Sequence, residues 1–159
     1  MRKEELSAKR RNGAEWRKVF FRVAEGKCQL TRVSFLIQYS MAKPASRPLR
    51  VIFFRTETGN EPVREWLLKL TTDDRKSIGA DILAVQWVWP VGKPLVDSLG
   101  GGLWEVRSSL GDRIGRVFFI IVNEEIILLH GIVKKSLTAP KQELELARKR
   151  QSLYLKSIQ

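Results

Sequence analysis

Hydrophobic positions change period along this chain. Leu49-Arg50-Val51-Ile52-Phe53-Phe54-Arg55 is a β-rich apolar run closed by the turn-like Thr56-Glu57-Thr58-Gly59-Asn60, and predicts a strand. Asn60 is the expected cap of a helix with Pro62 in its first turn, where the missing N–H costs little. Val63, Trp66, Leu67 and Leu70 then recur at helical spacing. Thr71 to Asp74 reads as a turn and second cap, after which Ile78, Ile82, Val85 and Trp89 stripe one face of a helix until Pro90 stops it. The two helices are expected to form an antiparallel hairpin on a sheet.

Beyond Pro90 the period is two. Leu95 to Leu99 predicts a short strand, and Gly100-Gly101-Gly102 a permissive turn. From Leu103 to Arg107, Trp104 and Val106 point one way and Glu105 and Arg107 the other. Ile114 to Val122 is nearly all apolar, as a strand covered on both faces requires. Asn123-Glu124-Glu125 is the expected hairpin turn, and Ile126 to Val133 the returning strand. Pro140 opens a final helix with Leu144, Ala147 and Gln151 on one face, and Arg148-Lys149-Arg150 reads as a solvated basic run. No internal repeat is present. Trp66, Trp87 and Trp89, at this spacing, are expected in packing rather than as base-stacking platforms.

Met41 to Pro48 has two prolines, small residues and no periodicity, which marks a linker. It divides residues 1–48, expected to be a poorly ordered basic extension, from a domain over 49–159. A compact domain beginning just after an internal methionine suggests Met41 as the true translation start. Residues 1–50 carry 13 Lys/Arg against 4 Asp/Glu, while residues 51–159 carry 16 against 13, so most of the net charge of +12 lies in the first third. A pI near 10.3 points to nucleic acid or another acidic surface, but much of that basicity lies outside the domain. One cysteine, Cys28, excludes an internal disulfide and a multi-thiolate metal site. With no apolar run near the ~18 residues of a membrane span, no membrane association is expected and the cytoplasm is the expected compartment.

Within the domain the densest candidate chemistry lies on what read as neighbouring strands. Pairing around Gly111 would bring Arg116 near Arg107, and two arginines on one sheet face repel unless an anion lies between them. A phosphate would satisfy both through bidentate bonds, and so would a neighbouring carboxylate. His130, the only histidine, shares a face with Lys134 and is either a half-buried packing residue or a proton-transfer group. Lys134, Lys135 and the following helix start offer further positive potential. The acidic residues Asp73, Asp74, Asp81, Asp97 and Asp112 fall at caps and turns, where local hydrogen bonding explains them. No metal site is expected.

Taken in order, Phe54 to Leu67, Leu103-Trp104-Glu105-Val106-Arg107, Leu129-His130-Gly131 with Lys134-Lys135-Ser136, and Pro140 with Glu143, Leu144, Ala147 and Arg148 resemble the phage-derived branch of the RelE/HigB toxins, within the RelE/ParE superfamily of type II toxin–antitoxin systems. The resemblance runs from about Val51 to Lys149. It implies an α+β fold, an N-terminal helical hairpin packed on a small antiparallel β-sheet with a C-terminal helix. It implies a metal-independent endoribonuclease that needs no cofactor and cleaves mRNA, usually on a translating ribosome, under restraint by a cognate antitoxin. By the same resemblance Arg107 and Arg116 bind the scissile phosphate. Lys134 or Lys135 is a phosphate clamp or proton donor, and His130 a base or a structural residue. Apart from the resemblance, Lys93 is an expected RNA contact by its charge and loop position alone, and Arg113 and Lys141 are further expected RNA contacts. The family's base-stacking aromatic has no equivalent; Leu137 and Thr138 occupy that stretch. Two alternatives share the scaffold: a ParE-like gyrase poison and a catalytically inactive phage-derived binding module.

Overall fold

The computed structural model describes residues 47–135 and 140–159. The extension expected over residues 1–48 lies, up to residue 46, outside the described residues, as do the expected start at Met41 and Ser136.

The order of elements is β1 (Arg50–Phe53), α1 (Pro62–Lys69), α2 (Thr72–Val88), β2 (Val96–Ser98), β3 (Trp104–Leu110), β4 (Arg113–Val122), β5 (Glu125–Lys134) and α3 (Lys141–Ser157). The strands make one five-stranded sheet in the order β1-β5-β4-β3-β2. β2 to β5 pair antiparallel with their sheet neighbours, whereas β1 pairs parallel with β5, Arg50 opposite Glu125 and Phe53 opposite Leu128. Two expectations are corrected here. The sheet is mixed rather than antiparallel, and the helical pair follows a strand rather than leading the fold, with the sheet central. The reason lies in β1 and β5, which are apolar on both faces and so are stable only inside a covered sheet. β1 fills the edge of β5 that β4 leaves open.

Alternation along the strands separates two cores. Val106, Val117, Phe119, Ile126 and Leu128 face α1 and α2, meeting Val63, Leu67, Ile78, Ile82 and Val85. Leu103, Phe118, Ile120, Ile127, Leu129 and Ile132 face the other way, against Leu144, Ala147 and Tyr154 of α3. Burying both faces makes the sheet the middle layer.

Local chemistry explains the ends. Thr71 caps α2, its side chain accepting from the Asp74 N–H at 3.2 Å. α1 is capped by Glu61 rather than the expected Asn60, without a side-chain bond to the helix. Glu61 instead pairs with Arg55 at 2.9 Å and Arg64 at 3.1 Å. Asn123 and Glu124, both at positive φ, make the two-residue turn between β4 and β5. Gly131 lies beneath the indole of Trp66, where a Cβ would collide with the ring carbons Cε3, Cζ3 and Cδ2. Trp66 is therefore a packing residue, as expected. Trp89 is too, edge-on to Trp104 at 5.1 Å and Phe119 at 5.7 Å. Trp87 is exposed.

Candidate functional site

α3 covers only part of its sheet face. On this face the cross-strand row Asp97–Glu105–Phe118–His130 spans β2 to β5, and the next row holds Arg107, Arg116 and Ile132. Arg107 lies directly opposite Arg116, as pairing around Gly111 predicted. Like charges facing each other across a ladder are destabilising, and the anion that resolves this is internal. Glu105, 1% exposed, receives Arg116 Nη1 at 2.8 and 2.9 Å and Arg107 Nε at 2.5 Å.

The expected assignment of Arg116 to a scissile phosphate is thereby corrected. Arg116 is 1% exposed and bonded to Glu105 inside the sheet face, so it neutralises Glu105 and fixes its position. Arg107 stays accessible, its side chain 32% exposed, and a second carboxylate draws it toward the sheet edge: Nη2 donates to Asp97 Oδ2 at 2.7 Å. Lys93 Nζ lies 3.3 Å from the same oxygen. Burial pushes the Asp97 carboxyl up, but Lys93, Arg107 and the Ser98 backbone N–H more than offset this and hold it below its ordinary value.

His130 is gripped from both sides. Nε2 is 2.6 Å from Glu143 Oε2 on α3, and Nδ1 is 3.0 Å from Arg150 Nη1. A guanidinium only donates, so Nδ1 is the acceptor and the proton sits on Nε2, directed at Glu143. Burial lowers the imidazole's proton affinity. Glu143 opposes that shift and Arg150 reinforces it, leaving the net displacement downward from 6.5. The ring stacks on Phe118, centroids 6.0 Å apart. Arg150 also donates to the Leu129 carbonyl at 2.9 Å, and Arg148 to the Leu99 carbonyl at 2.7 Å. Arg150 ties α3 to β5 and Arg148 ties it to the turn after β2, so the reading of a solvated run holds for Lys149 and is corrected for the two arginines. With its Nδ1 lone pair facing Arg150, His130 presents Nε2 to Glu143. The second carboxylate oxygen of Glu143 is its candidate proton acceptor.

The other expected residues separate. Lys134 is exposed on the same face as His130 and Arg116, opposite Ile114, and its side chain has no ion pair among the described residues. Lys135 turns to Asp112 at 2.7 Å, with both side chains exposed at the β3–β4 turn. Arg113 lies on the opposite face of the sheet, bonded to Asp74 of α2 at 2.9 Å. Lys141 is exposed at the start of α3. Lys135 and Arg113 therefore leave the candidate site, while Lys93 enters it through Asp97. Sequence reasoning had set Asp97, Glu143 and Arg150 aside from the chemistry. Glu143 carried one signal, its place in the motif after Pro140.

Adjacent strands lie about 4.8 Å apart and residues rise about 3.3 Å along a strand. The Cα atoms of Arg107 and Lys134 are therefore each roughly 12–13 Å from that of His130, on two different sides. No group of three or more His, Cys, Asp or Glu side chains suited to a metal ion gathers among the described residues. No helix there is long and apolar enough to cross a membrane.

The family model for Phage derived protein Gp49-like (DUF891) matches residues 65–152, more than half of the chain. The chain belongs to this family. The matched stretch runs from α1 into α3, so in this Gp49-like chain it contains Asp97, Glu105, Arg107, Arg116, His130, Glu143 and Arg150. No curated protein matches the chain.

Proposed function

We propose that this Gp49-like chain is the toxin of a type II toxin–antitoxin pair, of RelE/HigB type, and a metal-independent endoribonuclease. Its substrate in this reading is mRNA, usually on the ribosome, and a cognate antitoxin restrains it. The single observation that carries the reading is the His130–Glu143 pair, tautomer fixed by Arg150, on the same sheet face as Arg107 and Lys134.

In this scheme Glu143 takes the proton from a ribose 2′-hydroxyl while the Nε2–H of His130 holds the carboxylate in place. The 2′-oxygen attacks the adjacent phosphorus, and the P–O bond to the 5′-oxygen of the next nucleotide breaks. The products are a 2′,3′-cyclic phosphate and, once Lys134 or water supplies a proton, a 5′-hydroxyl. Arg107 and Lys134 flank the phosphate and stabilise its developing charge. One such donor is typically worth on the order of 10²–10³ in rate, and a general base about 10²–10⁴.

The pairing of Arg107 and Arg116 with internal carboxylates supports a second reading, in which the chain inhibits a protein target such as gyrase, or binds a partner, without cutting RNA. The test is induction of the full chain in growing cells with mRNA 5′ ends mapped, alongside Glu143→Gln and Arg107→Ala. New 5′ ends in the wild type, lost in both variants without loss of fold, are expected. Growth arrest with intact messages and an activated DNA-damage response would establish gyrase inhibition instead. No growth defect would leave the binding module.

A further inference from the structure

The edge of the sheet carries two cations closed on a single oxygen. Lys93, from the loop before β2, and Arg107, from β3, both meet Asp97 Oδ2, at 3.3 and 2.7 Å. Lys93 is 70% exposed and Asp97 only 19%, and β2 is the outermost strand on this side. Arg107 reaches this oxygen with Nη2 while its Nε stays on Glu105. One end of its guanidinium is thus held by a buried acid, and the other by an acid at the rim. The rim partner is the exchangeable one, because a partly exposed ion pair is weak and screened by salt.

We propose that Lys93 and Arg107 form a phosphodiester-binding subsite at the β2 edge, in which the Asp97 carboxylate occupies the place of a phosphate oxygen until single-stranded RNA displaces it. The chemistry fits a phosphate. The subsite needs one anionic oxygen shared by an ammonium and a guanidinium, and a phosphodiester brings a second oxygen to the remaining donors. The subsite lies on the far side of the Glu143–His130 pair from β1, since Asp97 begins the row that His130 ends. It thus takes a phosphate next to the scissile one, from the strand entering over β2 on the side away from Lys134, with Arg107 shared between the two phosphates. The choice of RNA over another polyanion rests on the ribonuclease reading. The exchange of Asp97 for an anion does not.

The experiment measures binding of a fluorescein-labelled single-stranded RNA oligonucleotide to the full chain by anisotropy across a salt series, with inorganic pyrophosphate as a second probe. Asp97→Asn is compared with Asp112→Asn, which removes the same charge from the Lys135 pair at the β3–β4 turn. Asp97→Asn is expected to bind RNA about fivefold more tightly than Asp112→Asn, the size of one partly exposed ion pair removed from competition. Its salt dependence should steepen by about 0.7 in log–log slope, one more phosphate neutralised. Arg107→Gln in the Asp97→Asn background should abolish the gain. Equal gains from the two substitutions, or a gain that survives Arg107→Gln, would overturn the subsite while leaving ribonuclease activity standing. Pyrophosphate bound more tightly by Asp97→Asn, without RNA binding by any variant, would support the subsite and count against the RNA reading. Binding of neither probe would overturn both.

Discussion

Removing Glu105 should unfold the chain more readily than removing any other acid described here. Its carboxylate is 1% exposed and accepts from two arginines, of which Arg116 is equally buried. Glu105→Ala removes the carboxylate bonded to the buried Arg116, and breaking a buried pair from one side costs about 3–5 kcal/mol. A loss of that size lowers the thermal midpoint by about 12–20 °C for a unit of this length, at about 4 °C per kcal/mol. The double variant Glu105→Met with Arg116→Met removes both charges and keeps similar volume. It should recover most of the loss, since apolar replacement of a buried pair is often neutral or better. Asp97→Ala, which breaks the partly exposed bonds to Arg107 and Lys93, should lower the midpoint far less than Glu105→Ala. Differential scanning calorimetry of the four proteins is the assay. A Glu105→Ala midpoint within about 4 °C of wild type, or a double variant no better than the single, would refute the view that Arg116 is structural.

Gly131→Ala should destabilise by at least about 1–3 kcal/mol, because its methyl group meets the Trp66 ring and an overpacked site must shift; urea denaturation reads the loss, and adding Trp66→Leu should return part of it. His130 gives a pH signature. Its folded proton affinity is depressed from 6.5 by burial, so the stability it contributes is present above that value and lost as pH falls below it. The slope for one proton is at most about 1.4 kcal/mol per pH unit. Urea midpoints between pH 7.5 and 5.5 should fall in the wild type and flatten in His130→Gln over the same window; parallel profiles would show that the ring is not held neutral.

Much of the fold was legible because its signals are local. The change from helical to alternating period at Pro90 located α2 and β3, although α2 starts at Thr72 inside the expected turn and β3 runs on to Leu110, and the apolar run Ile114 to Val122 located the central strand β4. The parallel pairing of β1 with β5 was not legible. Partners far apart in sequence carry no local mark of direction, and an apolar run reads the same in either orientation. The site divided in the same way. Register around Gly111 put Arg107 opposite Arg116, as a sequence can show. Which anion would sit between them depended on the rotamer of Glu105, two residues from Arg107 and on the same face. The basic run in α3 misled because long cationic side chains can turn inward to carbonyls, as Arg148 and Arg150 do.

Two facing arginines must be neutralised in the resting protein as well as in any complex. A site left to await substrate would carry their repulsion through folding, and the chain avoids this with Glu105. The two arginines then part in physical character. Arg116 and Glu105 are removed from solvent, so added salt screens their attraction little, and the pair belongs to the fold. Arg107 keeps a third of its surface in water, and its outer partner is an edge carboxylate, so that bond weakens as salt rises. In the proposed reading, binding of a nucleic acid at this face would be an exchange of one anion for another at Arg107, not the filling of an empty positive pocket. The gain in affinity is limited to the difference between a phosphate and Asp97.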